Sequence, residues 1–174
     1  MSEAPEGIAR ERTRDFADRS HRPYYRRGLL CLVAAFPVLA LLGVFGQKPT
    51  TTSTDAQAAS LSVTAPPRLR SGLIFQVRVQ VLAHRDIHEL EIAFDPGWWE
   101  SMSVNSLQPE PSKEESKNGK VVLSYGKLPA GEKLIAWIYF QVNPTNVGKR
   151  REDVEITDSS KPLAYIHRSL TIFP

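Results

Sequence analysis

The sequence predicts an all-β domain, built as an antiparallel sandwich, preceded by one apolar helix and a polar N-terminal tail. Three observations predict it. Residues 28–46 form an uncharged apolar run, hydrophobic periodicity switches to two residues after Leu61, and turn-forming residues separate the alternating runs.

The apolar run reads GLLCLVAAFPVLALLGVFG, nineteen residues without a charge. At helical rise it covers about 28 Å, close to the thickness of a hydrocarbon core, so residues 28–46 are expected to cross a lipid bilayer. Pro37 removes one backbone hydrogen bond, which membrane helices tolerate with a kink. Arg22, Arg26 and Arg27 crowd the N-terminal flank beside Tyr24 and Tyr25, whereas only Lys48 follows. Cations resist translocation, so the N-terminus is expected in the cytoplasm and the C-terminal domain outside it, in the cell membrane as a single-pass protein. A cleaved signal peptide competes with this reading, because Ala56-Gln57-Ala58 is a small-x-small pattern. The run exceeds the usual apolar core of a signal peptide, and the alanines lie ten residues beyond its end, which favours a retained anchor.

Residues 1–27 hold seven arginines against five acids and few apolar positions, the composition of a disordered basic tail. Residues 47–60, rich in Thr, Ser and Ala, read as a flexible linker. The remaining chain from Gln47 carries 15 basic and 14 acidic residues, too balanced for a nucleic-acid footprint. The single cysteine, Cys31, lies in the apolar run, so no intrachain disulfide can staple the outer domain. A disulfide-free exported domain fits a bacterial envelope.

Residues 61–174 form the expected sandwich. Leu61, Val63 and Ala65 alternate with polar neighbours before Pro66-Pro67, and Leu73, Phe75, Val77, Val79 and Val81 mark the core face of a longer strand. Leu90, Ile92 and Phe94 follow, closed by Asp95-Pro96-Gly97; weaker strands are read at 101–104 and 121–125. A long strand at Lys133–Val142 ends at Asn143-Pro144, and strands at 154–157 and 166–173 complete the set. Between them, PEPSKEESKNG reads as an exposed loop ending in an Asn118-Gly119 turn. Seven or eight short strands without an amphipathic helix point to an immunoglobulin-like antiparallel β-sandwich. Leu128-Pro129-Ala130-Gly131-Glu132-Lys133 leading into an alternating strand, then Asn143-Pro144 and Gly148, resembles bacterial immunoglobulin-like repeats of the adhesion-related type. The Arg70-Ser71-Gly72 turn between Leu61 and Val81 is similar too, and the resemblance implies the same sandwich architecture.

Chemistry-bearing patterns are sparse. His84, Asp86 and His88 would share a helix face, but at a strand edge residues two apart stand ~7 Å from each other, too far for one metal without a bend. No Gly-x-Ser-x-Gly elbow, nucleotide loop or cofactor motif occurs, and neither enzyme activity nor a bound cofactor or metal is expected. The aromatic residues are more informative. With Leu134, Ala136, Ile138, Phe140 and Val142 facing the core, the opposite face of that strand carries Ile135, Trp137 and Tyr139, where a monomer normally places polar groups. Trp98 and Trp99 at the preceding turn are expected to extend this surface. Either the 105–120 segment or the linker covers the stripe, or it binds a partner. The expected partner is another membrane or envelope protein, with this chain as an accessory subunit; the alternative is a cell-surface module for peptidoglycan or glycan.

Overall fold

The computed structural model describes residues 22–42 and 47–174. The expected disorder of residues 1–21 and the last apolar positions, 43–46, lie outside the described residues. Two compact units divide the chain, Met1–Val44 and Phe45–Pro174.

In the first unit, helix α1 (Arg22–Leu41) starts six residues earlier than the apolar run and contains Pro37. Arg26 and Arg27, read as part of the tail, therefore belong to the helix. At 1.5 Å per residue its 20 residues span about 30 Å, and apolar side chains lie exposed all around it. A membrane span and an N-terminal signal sequence share this length and composition.

The second unit is a β-sandwich of thirteen strands: β1 (Thr50–Asp55), β2 (Ala59–Ala65), β3 (Arg68–Arg70), β4 (Ile74–Ala83), β5 (Ile87–Phe94), β6 (Met102–Gln108), β7 (Lys113–Lys117), β8 (Lys120–Leu128), β9 (Lys133–Val142), β10 (Gly148–Arg151), β11 (Val154–Asp158), β12 (Lys161–Ile166) and β13 (Ser169–Phe173). One five-stranded sheet has the order β1-β2-β4-β9-β6 and the other β12-β11-β5-β8-β7. A three-stranded sheet, β10-β13-β3, completes the unit, with β13 and β3 pairing in parallel while the other pairs are antiparallel. The alternation does what two-residue periodicity requires. Phe75, Val77, Val79 and Val81 of β4 and Ala136, Ile138, Phe140 and Val142 of β9 are buried, and they meet Leu90, Ile92, Phe94, Leu123 and Ile156 of the second sheet in one core.

Four sequence expectations are corrected. Residues 50–55 are not a free linker but edge strand β1, paired along its whole length from Thr50↔Ala65 to Asp55↔Ser60, and Ala58 and Ala59 are buried. The 105–120 segment is not a loop. β6 and β7 occupy most of it, and Asn118-Gly119, both with positive φ, makes the two-residue turn joining β7 to β8 at Lys117↔Lys120. Leu73 lies outside β4 and is exposed rather than in the core. The terminal strand is two strands, because the chain changes sheets at His167-Arg168.

That change of sheets is held by buried Arg168. Its guanidinium donates to the carbonyls of Val63 (3.1 Å) and Ala65 (2.7 Å) on β2, and to the carbonyl of Thr50 (3.2 Å) and Oγ1 of Thr52 (2.8 Å) on β1. Charge-assisted bonds of this kind are roughly twice as strong as neutral ones, and they fasten a strand that has no apolar face of its own.

Candidate binding surface

β9 is an interior strand of the first sheet, between β4 and the edge strand β6. Its outward residues Ile135, Trp137 and Tyr139 pair with Gln80, Arg78 and Gln76 of β4. The Arg78 guanidinium carbon lies 5.5 Å from the Trp137 ring centroid, a cation–π distance, and its NH2 group reaches Oγ1 of Thr64 at 3.4 Å. Thr64 in turn shares a 2.8 Å hydroxyl–hydroxyl bond with Thr51 of β1. The Gln76 side-chain amide donates to the Tyr139 hydroxyl. The aromatic pair is thus orientated by polar neighbours, with ring faces partly exposed.

Beside it, an open groove of about 430 Å³ is lined by Trp137, Arg78, Gln76, Ile74, Pro66 and Pro49. Pro49 and Gln47 wall one side, so the segment read as a linker borders the stripe without hiding it. The 105–120 residues do not cover the face; β6 extends the sheet laterally, placing Ser106 opposite Tyr139 and Gln108 opposite Trp137.

Trp98 and Trp99 do not belong to this surface. The short 3₁₀ turn Pro96–Trp98 tucks Trp98 inward until it is fully buried, with its indole N–H donating to the Asp153 carbonyl at 3.3 Å. Trp98 and the half-buried Trp99 pack on Phe94 and Phe140, the inward side of β9, with ring centroids 5.3–5.9 Å apart. They are core groups, on the opposite face of β9 from Trp137. Gly97 permits this turn, since a Cβ there would stand 1.8 Å from the Arg151 carbonyl oxygen.

The histidine cluster does not converge. His84 Nε2 bonds to Oγ of Ser60 at 2.8 Å, Asp86 accepts the Ala130 amide at 2.9 Å, and the His88 amide donates to Asp158 at 3.0 Å. Among the described residues no group of three metal-ligating side chains gathers.

A polar cluster that sequence reasoning missed surrounds Asp153, after β10. Burial pushes this carboxyl up, but donors from Tyr165, Arg151, the Arg168 amide and His167 pull it down further, to about 2. The neighbouring Glu152 is buried without a donor to Oε1, and burial pushes its carboxyl up to about 8 against the opposing pull of the Arg168 charge. Asp153 ties β10 to β12 and to the His167-Arg168 junction that leads into β13, which is a fastening role.

No family model and no curated protein matches the chain. Among solved structures it is similar to the third cohesin of ScaC, in complex with the ScaB dockerin, from Acetivibrio cellulolyticus, at 13% identity and TM-score 0.41 over 62% of this chain and 94% of that one. A non-cellulosomal cohesin from Archaeoglobus fulgidus is 14% identical at TM-score 0.39, over 73% and 92% of the two chains. The CARDB domain of a Pyrococcus furiosus protein, in complex with di-metal ions, is 11% identical at TM-score 0.41, over 73% and 96%. These are immunoglobulin-like β-sandwiches in outline, and at such scores they carry nothing about this chain's task. The sandwich is established by the sheets themselves.

Proposed function

We propose that this chain is a membrane-anchored interaction module whose outward face at Arg78, Ile135, Trp137 and Tyr139 binds another membrane or envelope protein, with no catalysis of its own. The observation that carries the reading is the placement of Trp137 and Tyr139. They stand on the outward side of an interior strand, held by Arg78 and Gln76 beside an open groove, and they add nothing to the core. Trp, Tyr and Arg are the residues that dominate binding energy at protein interfaces, because large rigid rings bury area at small entropic loss. The helix Arg22–Leu41, taken as an uncleaved anchor with its arginine flank in the cytoplasm, keeps the module at the membrane.

The test is photo-crosslinking in living cells from a reactive residue placed at Ile135, compared with Trp137→Ser/Tyr139→Ser in the same background. One defined membrane protein captured, and lost in the double variant while the domain remains folded, is the expected result. Capture of wall polymer alone, or a partner retained by the double variant, overturns it.

A further inference from the structure

Ile74 (55% exposed), Val147 (49%), Phe173 (42%) and Leu73 (39%) are four of the six large apolar side chains exposed in the sandwich unit, and all four lie at one end of it. Leu73 and Ile74 lead into β4, where the Val142 amide bonds to the Leu73 carbonyl and Ile74 pairs with Gln141. Val147 immediately precedes β10, and the Ser71 amide bonds to the Phe173 carbonyl. Scattered exposed apolar groups need no explanation, but a cluster does.

The same end carries cations. In the small sheet β10-β13-β3, Leu69 and Ile172 point into the core, so Arg68, Arg70, Thr171 and Phe173 point out, and Lys149 joins them through the register Lys149↔Thr171↔Arg68. Among the described residues Lys48, Arg68, Arg70 and Lys149 have no ion-pair partner. The acids nearby are engaged or hidden: Glu100 is held by Arg150 at 2.6 Å, and Glu152 is buried.

This is also the end at which the chain enters the domain, since Thr50 pairs with Ala65, three residues before Arg68. Only five residue steps separate Leu42, at the end of the apolar helix, from Gln47, a reach of at most about 18 Å when fully extended. Cations interleaved with apolar side chains are what an anionic interface attracts, the cations meeting headgroup phosphates and the apolar groups entering the boundary layer.

We propose that this end of the sandwich, through Lys48, Arg68, Arg70, Lys149, Ile74 and Phe173, rests on the anionic headgroup surface of the membrane in which the chain is anchored. The proposal shares with the functional reading above the membrane anchor and Ile74, which also lines the groove beside Trp137, but none of its four cations lines that groove.

The experiment uses the full chain, with Cys31→Ser, carrying one fluorophore either at Thr145→Cys, beside the cationic end, or at Ala130→Cys, at the opposite end of β9. The protein is reconstituted into phosphatidylcholine vesicles with or without phosphatidylglycerol, each containing headgroup spin-labelled lipid as quencher. Expected is quenching at Thr145 at least about twofold above that at Ala130 in phosphatidylglycerol vesicles, falling to the Ala130 level at about 1 M salt, where the Debye length is ~3 Å. Arg68→Glu with Arg70→Glu and Lys149→Glu is expected to produce the same loss, and the salt series on the unsubstituted charges gives the answer even where the triple variant folds poorly. Equal quenching at the two ends, or quenching at Thr145 that ignores salt and phosphatidylglycerol, overturns the proposal while leaving the Trp137 face untouched. A chain that fails to float with the vesicles overturns the anchor and this proposal together.

Discussion

Glu152 offers the most direct test of the energetics. Its side chain is almost completely excluded from water, Oε1 has no donor, and burial pushes its carboxyl up to about 8 from an ordinary value of 4.5. The folded state therefore holds a proton that the unfolded state releases across that interval. A group raised in this way contributes stability that is fully present below about 4.5 and is lost as pH rises through about 8. Each pH unit inside the window changes stability by about 1.4 kcal/mol, so roughly 3 kcal/mol disappears between about pH 5.5 and pH 8. Glu152→Gln keeps the shape and removes the titration. Denaturant unfolding of the full chain in detergent, followed by tryptophan fluorescence with Trp98 as a buried reporter, is to be run for both proteins across that range. The unsubstituted protein should lose stability relative to Glu152→Gln as pH rises, since the two proteins differ in this one carboxyl. Parallel curves would mean that the Arg168 charge keeps Glu152 ionised, and the argument from burial would fail.

Three further substitutions probe the same fold. Arg168→Met strands the carbonyls of Thr50, Val63 and Ala65 and is expected to destabilise the domain by about 3–5 kcal/mol, with amide exchange accelerated first in β1; denaturant midpoints and exchange rates check both. Trp98→Ala empties the centre of the Phe94–Phe140 cluster for about 3–5 kcal/mol, whereas Trp137→Ser should remain within about 1 kcal/mol, and comparing their unfolding midpoints tests the assignment of one indole to the core and the other to the surface. Gly97→Ala drives a methyl against the Arg151 carbonyl, so loss of folded protein, read from soluble yield and thermal midpoint, should match or exceed that of Trp98→Ala.

The parts of the fold that were legible in the sequence are those where burial writes a pattern. β2, β4, β9 and β11 have one wet and one dry face, so alternation announces both the strand and its inward side. β1 and β7, TTTSTD and KEESK, are edge strands with few or no buried positions, and they exist through backbone hydrogen bonds and, for β1, the Arg168 side chain, none of which leaves a local period. Arg168 falls inside the run 166–173 that reads as one strand, and nothing local signals its acceptors, more than a hundred positions earlier. The outward placement of Trp137 and Tyr139 followed from counting by two along β9. The inward turn of Trp98 did not follow, because Asp95-Pro96-Gly97 marks a turn without saying which way the next side chain points; Gly97 against the Arg151 carbonyl settles that, a contact between positions far apart in sequence.

The two proposed surfaces constrain each other. Trp137 pairs with Arg78, four residues along β4 from Ile74, so about 13 Å of strand separates the aromatic face from the apolar residues at the chain's entry end. Ile74 itself lines the groove beside Trp137, as does Pro49. On the proposal that the entry end rests on headgroups, the groove lies about 13 Å of strand from that contact. On that proposal a partner meeting the groove does so close to the headgroups, where integral and peripheral membrane proteins lie. Abolishing lipid contact with the three charge reversals should thus weaken capture from Ile135 even though none of those residues touches the groove. Undiminished capture would show that the binding face works independently of how the domain stands on the membrane.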